Sequence, residues 1–536
     1  MPVRHCPAMT TAQRWTLLAA ILASGIVFLD STIVNLALKK IGEELPTTTL
    51  GVLEGQAYVI SGYLAVLAAL LIVAGALADV YGRRRIFIVG LIGFGVTSIL
   101  SGIAPSLEFL VVARVLQGAA GALLVPGSLA IITATFEGQQ RARAFGLWAA
   151  ATSALTLLGP VLGGLVVDNV TWRLAFLINA PLVGLALWAS WRYMAESRNP
   201  DASKHFDWLG SLVGAIAVGG LAFGAIRGEK SLWTDSLAFV SLGIGAVCLV
   251  LFPILMATRP NPLVPLSLFR IRDFAVINLA TFLIYGALYV GFGYSALLLQ
   301  GTLGYTAVGA AIIGLPAGVL LTLLSARIGS LSGRFGPRIF LVAGSALMAA
   351  GQLWYARIPA TSKPWLADLG DPGTLVPPAD VLIDVLPAVL LGGVGISLIV
   401  APLTSTLMSS IPSRNSGLGS AINNALSRVG QPLLGAVIFI AITSSFYSGL
   451  ASRVPGLDPA DPNVRAAIVP LNPPKPGTPP EQVAAAKEAS VDAFHLASLV
   501  SAGLLLAGAL TSFVGLRGKT TAAAGIETDR TSSSGP

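Results

Sequence analysis

The sequence has few of the residues that soluble enzymes use for catalysis and metal binding. It holds two cysteines and three histidines among 536 residues. The two cysteines, Cys6 and Cys248, lie far apart, and so do the three histidines, His5, His205 and His495. This spacing predicts neither a disulfide framework nor a C-x-x-C metal site. H-E-x-x-H and glycine-rich phosphate-loop motifs are missing too, so an ATP-driven pump would lack its ATPase in this chain. We therefore expect no enzyme, no metal and no cofactor.

Charged residues are also scarce. They make up 11% of the chain, whereas soluble domains carry about 25%. Hydrophobic residues make up 54%, the mean hydropathy is +0.80, and apolar runs long enough to cross a ~30 Å hydrocarbon layer recur along the chain. The formal charge of +8 is scattered over short loops, which does not indicate nucleic acid. The composition predicts an all-α, polytopic membrane protein in a lipid bilayer.

We count fourteen spans. They divide into a six-helix half over residues 12–193, two inserted helices over 207–256, and a second six-helix half over 275–516. The even-numbered connections hold most of the Lys and Arg, for example Arg141 and Arg143. Since positive charge marks the cytoplasmic side, both termini are predicted to be cytoplasmic.

Four polar segments flank or interrupt these spans. Residues 1–11 form a predicted cytoplasmic segment without a cleavable signal peptide, in which Met9 is an alternative start. Residues 517–536 are predicted to be a disordered cytoplasmic tail. The segments 358–380 and 449–490 are rich in Pro, Asp and Gly, so we expect extended external loops that bury no core. A passive linker is favoured over a binding role for both.

One tight loop between two apolar runs combines glycines, a carboxylate and three arginines. Its key positions are Gly75, Asp79, Gly82, Arg83, Arg84 and Arg85. The pattern resembles the cytoplasmic loop signature of the major facilitator superfamily, G-x-L-A-D-x-x-G-R-[KR]-[RK]. The resemblance implies the major facilitator fold and a conformational latch at this loop. The alternative is that the arginines serve only to set the topology.

A worn copy of this loop lies in the second half. Gly329-Ser-Leu-Ser-Gly333-Arg334-Phe-Gly336-Pro-Arg338 aligns with it, with Gly333 where Asp79 stands. Internal repeats of this kind place the substrate site between the halves, near the bilayer midplane.

Asp30 lies in the middle of the first apolar run. A charge at membrane depth costs several kcal/mol unless it is paired, hydrated or protonated, so Asp30 is a functional candidate by default. We assign it the role of proton carrier, with Ser31 and Asn35 as hydrogen-bond partners. The alternative is that Asp30 caps a helix break or pairs with a neighbouring span.

The fourth span contains Arg114-Val-Leu-Gln117-Gly118, well inside the apolar run. A guanidinium is tolerated there only when it is paired or hydrated. In the superfamily, R-x-x-Q-G is associated with proton transfer, and the resemblance carries that role to Arg114. A structural ion pair, or snorkelling beside Glu108, is the alternative.

The fifth span resembles the exporter motif G-x-x-x-G-P-x-x-G-G of the superfamily through Gly159, Pro160, Gly163 and Gly164, with Leu155 in place of the first glycine. A generic helix-packing face is the alternative. The following stretch, from Trp172 to Pro181, is similar to one in the fourteen-span drug:proton antiporters of the EmrB/QacA type. These resemblances cover roughly residues 15–515.

We also predict a substrate cavity between the halves. Its candidate residues are Asn35, Gln117, Tyr285, Tyr289, Asn424 and Arg428. Asn424 and Arg428 are four residues apart and share one helix face, although contacts within the bundle would explain them equally well. Ordinary core packing is the alternative for the two tyrosines.

These features predict a proton-coupled antiporter of the cytoplasmic membrane that exports drugs or other small amphiphilic compounds by alternating access. Its partners would be the substrate and protons, with the proton gradient as energy source; the sequence does not tell whether a periplasmic adaptor joins it. Deep acidic groups are scarce, which disfavours doubly cationic substrates and favours neutral, monocationic or amphiphilic ones. A dedicated exporter of one metabolite, antibiotic, lipid or siderophore is the alternative, and a transport-inactive sensor the less favoured one.

Overall fold

The computed structural model describes residues 9–47, 52–198, 206–230, 235–368, 370–475 and 477–516. Most of the predicted N-terminal segment and the predicted tail 517–536 therefore lie outside the described residues. Within the described ranges the regular structure is helical, with seventeen α-helices.

The first half of the chain forms seven of these helices. They are α1 (Thr11–Glu44), α2 (Val52–Tyr81), α3 (Arg83–Gly102), α4 (Leu107–Thr135), α5 (Gly138–Asn169), α6 (Leu174–Leu177) and α7 (Asn179–Tyr193). A central section follows with α8 (Trp208–Lys230), α9 (Ser236–Thr258) and the short α10 (Ser267–Arg270). The second half contains α11 (Arg272–Leu297), α12 (Ala307–Phe335), α13 (Pro337–Tyr355), α14 (Leu386–Ser410), α15 (Ser416–Arg453), α16 (Pro462–Ala467) and α17 (Pro480–Gly515).

Twelve segments of the described chain are long and apolar enough to cross a membrane. Helices α5, with 32 residues, and α13, with 19 residues, are not among these twelve. Both nevertheless belong to the bundle, because α5 packs on α1 and α12 while α13 packs on α14 and α17. The count of fourteen spans and the domain boundaries drawn from the sequence stay predictions.

Two tight turns reflect the internal repeat. Gly82 joins α2 to α3 with φ 110°, and Gly336 joins α12 to α13 with φ 88°. These values lie in the region that only glycine adopts freely, so each turn requires the glycine that the sequence supplies. The two halves therefore use the same hairpin at equivalent positions.

The long helices alternate in direction, so the bundle has two ends. We call the end that holds the two tight turns the tight-loop end, and the opposite one the far end. At the tight-loop end, Gln13 donates a side-chain hydrogen bond to the Thr135 carbonyl at 3.4 Å. At the far end, the Trp172 indole N–H donates to the Glu44 carboxylate at 2.7 Å.

The expectation of an extended loop over 449–490 is wrong. Helix α15 continues to Arg453, α17 begins at Pro480, and α16 folds between them. Ile468 and Leu471 are each 1% exposed and belong to a buried apolar cluster of the second half. The segment cannot form a core of its own, but the far end of the bundle supplies one for its apolar side chains.

The segment 358–380 differs from the expectation in the same way. Ile358 and Trp365 are buried within the same apolar cluster. The Trp365 indole N–H donates to the Thr374 carbonyl at 2.9 Å, and Thr306, the cap of α12, donates to the Ala367 carbonyl at 2.8 Å. Despite its polar composition, this segment folds over the far end of the second half.

Candidate functional site

A buried ion pair lies at mid-depth in the first half. Asp30 of α1 is fully buried, Arg114 of α4 is 1% exposed, and Arg114 Nη1 lies 2.5 Å from Asp30 Oδ2. Asp30 stands more than about 20 Å from either end of the 34-residue helix α1, at 1.5 Å of rise per residue. The two charges therefore meet where neither reaches water.

Two amides complete the shell of the carboxylate. Gln117 Nε2 and Asn179 Nδ2 donate to Asp30 Oδ1 at 3.2 Å and 3.1 Å. Both amide nitrogens also approach Ser98 Oγ, at 3.3 Å and 2.9 Å. Asn179 Oδ1 is buried without a hydrogen-bond partner in the described part of the chain. Donors from α4 and α7 thus bind the Asp30 carboxylate, and Ser98 of α3 contacts both amides.

The guanidinium of Arg114 is fixed from several sides. It donates to the Val59 carbonyl at 3.2 Å and to Gln117 Oε1 at 2.9 Å, and it stacks 4.0 Å above the centroid of the Tyr63 ring. Gly118 makes this stacking reachable, because a Cβ there would lie 2.5 Å from the Tyr63 carbonyl oxygen. A planar cation suits this mixture of carbonyls and an aromatic face.

The structure brings Asp30, Arg114 and Gln117 together, and their roles stay predictions. The partner of Arg114 is Asp30 rather than Glu108. A structural ion pair, the alternative named from the sequence, stays open. Ser31 donates to the Val27 carbonyl at 2.9 Å. The side chain of Asn35 lies outside the described residues.

Sequence reasoning missed part of this cluster. Ser98 and Tyr63 received no role, and Asn179 was noted only within a family-like stretch. They come from three different helices, so no spacing along the chain links them. The one available signal was a polar group inside an apolar run, which many structural residues share.

The predicted latch joins the two halves at the tight-loop end. Arg83 Nη2 lies 2.8 Å from Asp79 Oδ1 and donates to the Ser413 carbonyl at 2.7 Å. Asp79 in turn accepts the backbone N–H groups of Gly417 and Leu418 at 3.2 Å and 2.9 Å. These are orphan donors of the first turn of α15, where a negative charge is favoured.

The other residues of the loop either make contacts within the first half or, as glycine, leave room for a neighbouring helix. A Cβ at Gly75 would lie 2.5 Å from the Gly417 carbonyl oxygen, so this glycine permits the contact between α2 and α15. Arg84 donates to the Trp191 carbonyl at 2.7 Å. Arg85 lies 3.8 Å from Glu196 with its side chain 80% exposed. Of the three arginines, Arg83 carries the described contact across the halves.

A second contact closes the same end. A Cβ at Gly146 of α5 would lie 2.9 Å from Ala326 Cα of α12, and one at Gly329 would lie 3.0 Å from the Ala142 carbonyl oxygen. Backbones therefore touch between the halves here, as small residues allow. The described structure is closed at the tight-loop end.

A cavity of about 230 Å³, which we call the central cavity, lies between the halves. Four predicted cavity residues line it: Tyr285, Tyr289, Asn424 and Arg428. Gln117 is not among the lining residues, since it is bound to Asp30 and buried. The first half contributes residues of α1, α4 and α5, including Phe28 and Thr152.

The exporter-like motif lies on α5 beside α1. A Cβ at Gly159 would collide with the Thr32 hydroxyl and lie 3.5 Å from the Leu29 carbonyl oxygen. This glycine thus permits close approach of α5 to the turn of α1 that carries Asp30. For Pro160, Gly163 and Gly164, everything beyond the backbone of α5 lies outside the described residues.

Two helical halves around a central cavity define a polytopic transporter rather than an enzyme. A model of the Major Facilitator Superfamily matches residues 20–435, and the chain belongs to this superfamily. It is accordingly a multi-pass integral membrane protein whose substrates are small molecules.

Several characterised proteins resemble the chain along most of its length. The Multidrug resistance protein Stp of Mycobacterium tuberculosis (strain CDC 1551 / Oshkosh) is 32% identical over 467 residues, covering 86% of this chain and 82% of that protein. The Tetracenomycin C resistance and export protein of Streptomyces glaucescens is 31% identical over 444 residues, covering 82% and 78%. The crystal structure of the human organic anion transporter MFSD10 (TETRAN) matches with a TM-score of 0.58 at 14% identity, covering 94% of this chain and 100% of that one, which shows the shared fold.

Proposed function

We propose that the chain is a proton-coupled antiporter that exports small amphiphilic or hydrophobic compounds by alternating access. The observation that carries the proposal is the Asp30–Arg114 pair, buried at mid-depth in the half that faces the central cavity. Drug export is supported by the resistance proteins among the relatives. Proton coupling is the further step.

The shell of Asp30 suits a carboxyl that gains and loses a proton. The charged form is bound by Arg114, Gln117 and Asn179. In the protonated form the carboxyl needs an acceptor, and Asn179 Oδ1 is a buried acceptor without a hydrogen-bond donor among the described residues. Rotating that amide by half a turn would present the oxygen to Asp30, since the amide's two ends differ only in hydrogen-bond role. Arg114 would keep its contacts with Val59 and Gln117.

We assign the tight-loop end to the cytoplasm, with fourteen spans and both termini on that side of the cytoplasmic membrane. The arginines of the latch loop support this orientation. The closed latch then corresponds to a carrier that is shut towards the cytoplasm. A proton entering down ~100 mV contributes about 2.3 kcal/mol per charge, before any pH gradient. This transport cycle uses the proton gradient and no cofactor, and it works with or without a periplasmic adaptor.

The test uses everted membrane vesicles acidified inside by respiration. Nile red, ethidium and a dansylated fatty acid would be offered as neutral, cationic and anionic probes. We expect uptake of at least one probe, its collapse on adding an uncoupler, and its loss in Asp30→Asn at equal expression. Glu488→Gln, at a side chain 61% exposed at the far end, is the matched control and should transport normally. Undiminished uptake by Asp30→Asn would refute proton carriage by Asp30.

A dedicated exporter of one compound is the second candidate. The relative named for tetracenomycin C resistance and export favours it. The same vesicles discriminate between the two functions. A broad exporter takes up probes of different structure, whereas a dedicated exporter transports one compound and takes up none of the three probes.

A further inference from the structure

The central cavity contains one sign of charge. Of the described residues that line it, Arg428 is the one charged side chain, and the lining includes no carboxylate. Arg428 belongs to α15 and lies 5.8 Å from the ring centroid of Phe28 on α1, so it reaches across the interface of the halves. In the described part of the chain no salt bridge neutralises it.

The other polar groups of the lining are neutral. Hydroxyls and amides share the cavity lining with the guanidinium, among them Thr152, Ser153, Thr404, Asn424 and Ser427. These hydroxyls donate to backbone carbonyls of their own helices, and as neutral groups they supply no counter-charge to the guanidinium. A partly buried cation without a paired carboxylate attracts an anionic ligand and repels a cationic one.

A second, apolar cavity adjoins the first. It has a volume of about 340 Å³, lies among α11, α12, α13 and α14, and shares the lining residues Leu288 and Ile396 with the central cavity. We call it the tail cavity. Phe292, Leu299 and Ile313 line it together with Gln300, Gln352 and other residues, none of them charged. A ligand at Arg428 therefore has apolar space beside it.

We propose that this chain takes up amphiphilic carboxylates, whose head group pairs with Arg428 and whose apolar chain passes Leu288 and Ile396 into the tail cavity. This substrate class rests on the proposed export function. A guanidinium binds a carboxylate through two parallel hydrogen bonds, which fixes the head group. Burial of the chain then raises the affinity with chain length, by about fourfold per buried methylene.

The head-group test measures binding to the full chain in lipid nanodiscs without any proton gradient. Radiolabelled decanoate and decylammonium share one chain and differ in charge, and empty nanodiscs correct for lipid partition. We expect decanoate to bind at least about tenfold more tightly than decylammonium. Arg428→Gln should abolish the preference, and Arg428→Lys should retain most of it. Ser448→Ala, at an exposed position of α15 outside the cavity lining, is the control and should leave the preference intact.

The tail test changes the adjoining cavity alone. A Cβ at Gly392 in its lining meets no atom within 4 Å, so Gly392→Leu fills the space without a clash at that atom. We expect Gly392→Leu to weaken decanoate by about tenfold while hexanoate, measured by competition, is unchanged. Gly243→Leu, at another glycine with open space, is the control and should affect neither.

Two results would overturn the assignment: tighter binding of decylammonium by the unmodified chain, or a head-group preference that survives in Arg428→Gln. If Gly392→Leu weakened the binding of decanoate and hexanoate equally, the tail cavity would not be the site of the apolar chain. Because binding is measured at equilibrium, Asp30→Asn should keep the preference even though it stops uptake in vesicles. The vesicle uptake therefore tests proton coupling, and the nanodisc binding tests the proposed substrate class independently of it.

Discussion

At the scale of single residues, the Asp30–Arg114 pair adds little net stability, but the loss of one partner is costly. Removing two charges from water costs several kcal/mol per ion, and their attraction repays this only when every lone pair and donor is satisfied. Here Gln117, Asn179 and the Val59 carbonyl complete the set. The pair is therefore sensitive to the loss of either partner and tolerant of the loss of both.

We predict that Arg114→Gln lowers the free energy of unfolding by about 3–5 kcal/mol, because it leaves the Asp30 carboxylate buried without a counter-charge. Combining it with Asp30→Asn should restore much of the loss. Chemical unfolding in detergent micelles would measure the cycle, with the exposed Arg85→Gln as a control that changes little. Two single losses that simply add in the double variant would contradict a coupled pair.

Residue type decided how much of this cluster could be predicted from the sequence. Asp30, Arg114 and Gln117 stand out because charge and amide groups are costly inside an apolar run. Ser98 does not, because a serine in a helix usually bonds its own backbone, as Ser128 does with the Leu124 carbonyl. The distinction between these two serines depends on packing and is invisible in the chain.

At the scale of the helices, small residues set the distances on which the site depends. Gly118 lets α4 approach α2 closely enough for Arg114 to stack on Tyr63. A methyl group at this position has no room, because its nearest neighbour is a backbone carbonyl that cannot rotate away. The ion pair therefore depends on a residue that touches neither charge.

We predict that Gly118→Ala costs about 1–3 kcal/mol of stability through overpacking and reduces transport. The α2–α4 spacing would widen and draw Tyr63 off the guanidinium. Gly184→Ala on α7 is the matched control, because a Cβ there meets nothing within 4 Å. Thermal unfolding and vesicle uptake would be measured for both; equal behaviour of the two variants would contradict the packing argument.

Helices and turns differed in how well the sequence predicted them. The hairpins at Gly82 and Gly336 follow from a local requirement for positive φ, so the repeat was visible in the chain. The segment 449–490 was misjudged because its folding depends on a distant surface. Leu471, for example, donates its backbone N–H to Ser490 Oγ at 3.2 Å, and its side chain packs into a cluster contributed by other helices.

At the scale of the whole molecule, the latch that joins the two halves at the tight-loop end is a polar contact. Asp79 and Arg83 bond to backbone groups at the start of α15 rather than interlocking large apolar side chains. Water can solvate the polar groups that the latch releases on opening. The buried apolar cluster that contains Phe136, directly after α4, and Leu407 of α14 has to separate as well. Alternating access requires an interface of this kind at the gate.

The latch should open more readily when Asp79 loses its charge. Asp79→Asn removes the charge that pairs with Arg83 and that receives the N–H groups of α15, so the closed state should lose up to about 3–5 kcal/mol. Spin labels at Glu137→Cys and Ser409→Cys, both exposed near the tight-loop end of opposite halves, would report the separation by pulsed electron resonance after Cys6 and Cys248 are replaced. We expect one short distance in the parent and a second, longer population in Asp79→Asn.

Arg85→Gln, whose 3.8 Å pair with Glu196 stays within one half, should keep the single short distance. An unchanged distribution in Asp79→Asn would mean that the backbone contacts at Gly146 and Gly329 alone hold this end closed.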